Sequence, residues 1–234
     1  MGAIRIYYIS IQQYTSAMNI RKFLFLIFFQ FLLVNLFAQD PLRLEKEVNT
    51  LIAGDSLVNK MKLILFTGSS SIRMWKDLKT DFPKRNVLNR GFGSSEMSDL
   101  LYFAKPLIID YHPSKIFLYE GDNDIKAGKS PEQIIQDAEK ILAMIRAELP
   151  SNVKIIFISA KPSVARWDMK ETYEAFNSQL KNWTATHKNV LYADVWTPML
   201  DSNGVVLKDI FIADNLHMNR KGYDIWKEVI GKFL

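Results

Sequence analysis

From residue 62 onward, short and almost unbroken apolar runs alternate with longer stretches in which apolar positions recur every three or four residues. The short runs are KLILFT (62–67), NVLNR (86–90), KIFLYE (115–120), KIIFISA (154–160) and VLYADV (190–195). Runs apolar at both odd and even positions predict strands covered on both faces, as in a parallel sheet. The clearest helix is predicted over 131–148. Ser130 stands at its N-cap, Pro131 in its first turn and Gln133 where a capping box needs it. Behind them Ile134, Ala138, Ile141, Leu142 and Ile145 form one stripe, which must face the sheet. A second helix is expected over roughly 167–187, with Tyr173, Phe176, Leu180 and Trp183 as its core face, and a third from about Asn219. Residues 39–60 predict a helical lead-in to the first strand. This alternation predicts the α/β class, with an open, doubly wound parallel sheet and right-handed crossovers.

The first 38 residues follow a different pattern. NIRK is a basic segment, FLFLIFFQFLLVNLFA (23–38) is an apolar one, and LFA ends in a small residue. That order predicts a secretory leader cut near Ala38 and a secreted or periplasmic product. The apolar run is shorter than the ~20 residues a membrane span needs, so no stable span is expected after processing. Met18 precedes the basic pair, which allows residues 1–17 to lie upstream of the working start. The expected organisation is a leader over 1–38, a helical lead-in over 39–60 and one α/β domain over 61–234.

Composition narrows the chemistry. The 234 residues are 48% hydrophobic and 24% charged, ordinary for one globular α/β domain. The formal charge of +5 includes Arg5, Arg21 and Lys22 of the leader, and +2 remains without them. No basic run elsewhere supplies a nucleic-acid footprint, so no nucleic-acid partner is expected. With no cysteine there is neither a thiolate nucleophile nor a thiolate metal site.

Polar, turn-forming clusters follow the strands: GSSS (68–71) after the first, GFGSS (91–95) after the second, GDND (121–124) after the third and DNLH (214–217) after the fifth. In an open parallel sheet these loops share one rim, where ligands bind. Singly, each has a plain structural reading: serine caps helices, Asn123 closes an Asx turn, and glycines make tight turns. Together they supply a hydroxyl at a helix N-terminus (Ser70), an imidazole (His217) and a carboxylate three residues before it (Asp214). The remaining histidines, His112 and His187, sit near helix ends and are expected to complement helix C-termini. Candidate oxyanion donors are the backbone N–H of Ser70, a backbone N–H in the Gly93-Ser94 turn and the amide of Asn123. Trp167, Trp196 and Tyr223 are candidates for a sugar-binding cleft, with core packing the ordinary use of each.

In these blocks the chain, over about residues 60–234, resembles the SGNH or GDSL-like hydrolases, and within them the platelet-activating-factor acetylhydrolase-like branch. The resemblance implies a flavodoxin-like three-layer α/β/α sandwich with five parallel strands in order 2-1-3-4-5. It implies Ser70 as nucleophile, His217 as general base, Asp214 as its orienter, and Ser70, Ser94 and Asn123 at the oxyanion hole, with Gly93 the alternative backbone donor. Two positions depart: Ser69 replaces the family's usual aspartate, and Ser94 stands where a glycine is usual. No Gly-x-Ser-x-Gly elbow and no His-Glu-x-x-His motif occurs, against the ordinary α/β-hydrolase lipases and that kind of zinc hydrolase.

The expected function is a cofactor-free serine esterase that removes a short acyl group, acetyl above all, from a carbohydrate. Alternatives are a lysophospholipase or acyl-thioesterase, or a non-catalytic carbohydrate-binding module on the same fold. The expected partner is a small ester or an acylated glycan.

Overall fold

The computed structural model describes residues 40–234, and Pro41–Leu234 form one compact unit. The expected leader and its cleavage point lie outside the described residues. The strands are β1 (Ile64–Gly68), β2 (Val87–Gly91), β3 (Lys115–Tyr119), β4 (Lys154–Ile158) and β5 (Val190–Ala193). All neighbours pair in parallel, in the order β2-β1-β3-β4-β5. The helices are α1 (Glu45–Ile52), α2 (Ser70–Arg73), α3 (Leu78–Asp81), α4 (Met97–Tyr102), α5 (Ala104–Leu107), α6 (Asp122–Lys126), α7 (Pro131–Glu148), α8 (Lys170–Ala185) and α9 (Arg220–Gly231).

The strand period of two divides the core into two layers. Leu65, Ile116, Leu118, Ile155 and Phe157 point to one face and pack with α1, α4, α5, α7 and α8. Ile64, Phe66, Phe117, Tyr119, Ile156 and Ile158 point to the other and pack with α2, α3 and α9. On that second face Phe66 stacks on Phe117 at 4.4 Å, and Trp75 meets Trp226 edge-on at 5.9 Å. The doubly wound parallel sheet read from the pattern, and the three-layer α/β/α sandwich that the resemblance implied, are therefore the fold.

Helix α7 forms where its caps predict, with Ser130 accepting from the Gln133 N–H at 3.3 Å and its whole stripe buried. Each buried Ile or Leu of the stripe contributes roughly 1.5–3 kcal/mol. The second predicted helix is shorter than expected, because a 3₁₀ segment (Val164–Met169) with non-helical backbone at Arg166 precedes α8. The helix expected in the lead-in is α1, and it packs on the domain: Leu44, just before it, and Val48, within it, are buried in the first core layer. Among the described residues no helix is long and apolar enough to cross a membrane.

Candidate active site

The nucleophile candidate is placed by the turn that ends β1. Gly68 has φ +120°, and a Cβ there would lie 1.9 Å from the Tyr119 carbonyl oxygen. Only glycine lets β1 bend against β3 at this point. Ser69 then donates its N–H to that same carbonyl at 3.0 Å and occupies the N-cap of α2 without a side-chain cap bond. Ser70 is the first residue of the one-turn helix α2. Its hydroxyl is thus not spent as a cap.

The base candidate comes from a loop stitched at both ends. Phe211 and Met218 form an antiparallel bridge, and Ile212 donates to the His217 carbonyl at 2.8 Å. Asn219 caps α9 by accepting from Lys221 and also donates to the carbonyls of Asp209 and Phe211. Inside the loop, Asp214 Oδ1 accepts the N–H groups of Leu216 and His217, each at 2.9 Å. The spacing Asp-x-x-His therefore lets one carboxylate close the turn and orient the ring.

His217 Nδ1 lies 2.6 Å from Asp214 Oδ2, and its Nε2 lies 2.9 Å from Ser70 Oγ. These are the contacts a carboxylate-oriented base needs to take a proton from a hydroxyl. Desolvation works to raise the Asp214 carboxyl, but the hydrogen bonds from His217 and the backbone outweigh it and hold it down at about 2. Asp214 is thus a carboxylate at every ordinary working pH.

The turn after β2 supplies donors. Ser94 has φ +55°, the left-handed region that favours glycine, so the family's usual residue there has a backbone reason. Among the described residues the N–H groups of Ser70 and Ser94 donate to no partner. Gly93, the alternative donor, is otherwise engaged: its N–H donates to Glu47 Oε1 at 3.0 Å. Asn123, on α6, donates through Nδ2 to the Ser95 carbonyl at 2.9 Å, which ties the third block to the second. An amide nitrogen carries two hydrogens, so one remains for the site. Asn123 is not closing a local Asx turn.

Several supporting residues carry no motif. Arg43 reaches Asp99 through two 2.6 Å bonds, and it donates to the Ser94 carbonyl at 3.3 Å. Buried Glu120, pushed up by burial and by Asp124, accepts the Ser95 hydroxyl at 2.6 Å. Arg166 bonds Asn123 Oδ1 at 3.1 Å. Only tertiary contact reveals these partners, since 25 to 56 residues separate them from the groups they hold.

The proposed sugar-cleft aromatics are largely packing groups. Tyr223 is buried and donates to the Ser71 carbonyl at 2.9 Å, and Trp196 is buried between Trp167 and Tyr173. Trp167 is half-buried, stacked on Trp196 at 6.1 Å with Lys170 Nζ over its ring. His187 Nδ1 meets the Trp183 carbonyl at a helix C-terminus, as its position predicts. Among the described residues no cluster of three His, Cys, Asp or Glu side chains is arranged to hold a metal ion. A cavity of about 440 Å³ beside β2 is bordered by Arg73, Trp75, Leu88 and Asn89 and includes none of the triad.

Residues 52–225 match the model of the GDSL-like Lipase/Acylhydrolase family. A provisionally named platelet activating factor from Streptococcus pneumonia superposes with a TM-score of 0.73 at 20% identity, covering 86% of this chain and 96% of its own. A GDSL-like lipase from Bacteroides thetaiotaomicron gives 0.69 at 16% identity, covering 83% and 98%. A catalytic mutant of an acetylxylan esterase from Geobacillus stearothermophilus gives 0.61 at 14% identity, covering 73% and 93%. No curated protein matches the chain. With the family match spanning most of the chain and the sheet order of SGNH hydrolases, the chain belongs to the GDSL-like lipase/acylhydrolase family, serine-dependent carboxylic ester hydrolases.

Proposed function

We propose that the protein is an exported esterase that removes short acyl groups, acetyl above all, from a carbohydrate. The observation that carries the catalytic half of this reading is the unbroken Ser70–His217–Asp214 chain of hydrogen bonds. His217 takes the Ser70 proton as Oγ adds to the ester carbonyl. The N–H groups of Ser70 and Ser94 and the Asn123 amide then meet the charge that develops on the carbonyl oxygen. The tetrahedral adduct collapses, His217 gives its proton to the leaving alcohol, and an acyl-Ser70 remains. Water, activated by the same ring, releases the acid and restores Ser70.

The acetyl preference and the glycan are supported more distantly, because structures of an acetylxylan esterase share this scaffold. Export is supported by the basic and apolar leader ending at Ala38. The test is hydrolysis of p-nitrophenyl esters from acetyl to dodecanoyl, followed by acetylated xylo-oligosaccharides. Fastest turnover of acetyl and release of acetate from the oligosaccharide are expected. A preference for long chains points instead to a lysophospholipase, and sugar binding without turnover to a binding module.

A further inference from the structure

Asn123 sits between two neighbours of opposite hydrogen-bonding character. The Ser95 carbonyl accepts from Nδ2 at 2.9 Å, and the Arg166 guanidinium donates to Oδ1 through Nη2 at 3.1 Å. A carbonyl oxygen meets only the NH₂ end of an amide, and a guanidinium meets only its oxygen. Together they fix which end of Asn123 stands where, and they leave its second N–H for the site.

Arg166 is itself held firmly. Its Nη1 donates to the Asp122 backbone carbonyl at 2.7 Å and to Asp122 Oδ1 at 2.6 Å, so one planar fork spans two consecutive residues. Asp122 is buried, and the Tyr119 hydroxyl (3.1 Å), the Tyr173 hydroxyl and Lys161 Nζ (3.4 Å) complete its partners. Lys161 is wholly buried. The Asp122 carboxylate thus pairs with both Arg166 and Lys161, and Asp214 also acts on Lys161, so Arg166 is held by opposite charge while its Nη2 faces the amide oxygen.

We propose that Arg166 is a positioning residue for the reaction: it sets the Asn123 amide and polarises its N–H toward the developing oxyanion. The assignment rests on the reading of Asn123 as an oxyanion donor. A merely structural Arg166 would instead anchor the loop after β4 to α6 through Asp122 and do nothing further.

The test compares Arg166→Met, Arg166→Lys, Asn123→Ala and the Asn123→Ala/Arg166→Met double variant by kcat, KM and Tm. Arg166→Met lowers kcat by about tenfold or more with KM little changed, because the lost interaction belongs to the transition state. Arg166→Lys keeps a cation for Asp122 but not the two-residue fork, so Tm returns toward wild type while kcat stays low. In the Asn123→Ala background, Arg166→Met lowers kcat by no more than about twofold further. Full additivity with Asn123→Ala impaired, or restoration of kcat by lysine, overturns the role of Arg166 alone. Wild-type kcat in Asn123→Ala overturns the oxyanion reading beneath it as well.

Discussion

Glu47 Oε1 accepts the backbone N–H of Gly93 at 3.0 Å, so a helix that precedes the first strand grips the turn that follows the second. Arg73 Nη1 approaches the same carboxylate oxygen at 3.3 Å. The lead-in is therefore part of the site's scaffold. Glu47→Ala is expected to cost about 1 kcal/mol, since the carboxylate is partly exposed, and to lower Tm by about 2–4 °C. The turn also carries Ser94, so kcat falls while KM holds. Hydrogen exchange at Gly93 should speed up. Unchanged exchange there would detach Glu47 from the turn.

The strands were legible in the sequence because each carries its own local pattern, whereas the candidate reacting groups were legible only because four polar blocks occur together in order. Buried parallel strands are apolar throughout, α7 carries its own capping box, and Asp-x-x-His needs only four consecutive residues. The short helices α4 and α5 have no full apolar period to read. Arg43, Glu47 and Arg166 look like ordinary surface charges in one dimension, because their partners Asp99, Gly93 and Asn123 arrive through the fold. Trp196 and Tyr223 show the reverse case, aromatic residues near the rim loops that the core absorbs.

Ser94 holds φ +55°, a region in which a side chain costs about 1 kcal/mol or more that glycine avoids. If only its N–H serves the reaction, Ser94→Gly retains wild-type kcat and does not lower Tm. Ester kinetics and a thermal melt check both. A large loss of kcat would assign the hydroxyl a role of its own.

Asp214 bonds both the backbone of its own turn and the His217 ring, and its carboxyl is held at about 2. Asp214→Asn should lower kcat at neutral pH by about a hundredfold or more, because the amide cannot offer the ring the same charge. Any acid limb in the wild-type profile above about pH 4 then belongs to another group. A variant with wild-type kcat would remove Asp214 from the relay.

Burial alone would raise the Asp122 carboxyl, but Lys161, Arg166 and Tyr173 outweigh it and bring it down to about 2. A carboxyl lower in the folded state than its unfolded value of about 3.9 stabilises the fold above that pH. The stabilisation disappears as pH falls through about 2 and is on the order of 2 kcal/mol. Tm should therefore fall more steeply between pH 4 and about 2 in the wild type than in Asp122→Asn. Parallel curves would contradict the assignment.

The central claim is that Ser70 carries the acyl group between two half-reactions. The direct measurement is rapid acid quench of the enzyme during turnover of p-nitrophenyl acetate, followed by peptide mass spectrometry. The account predicts one acetyl group on the peptide containing Ser70, absent from Ser70→Ala and accumulating in no other peptide. Undiminished turnover by a folded Ser70→Ala protein would contradict it.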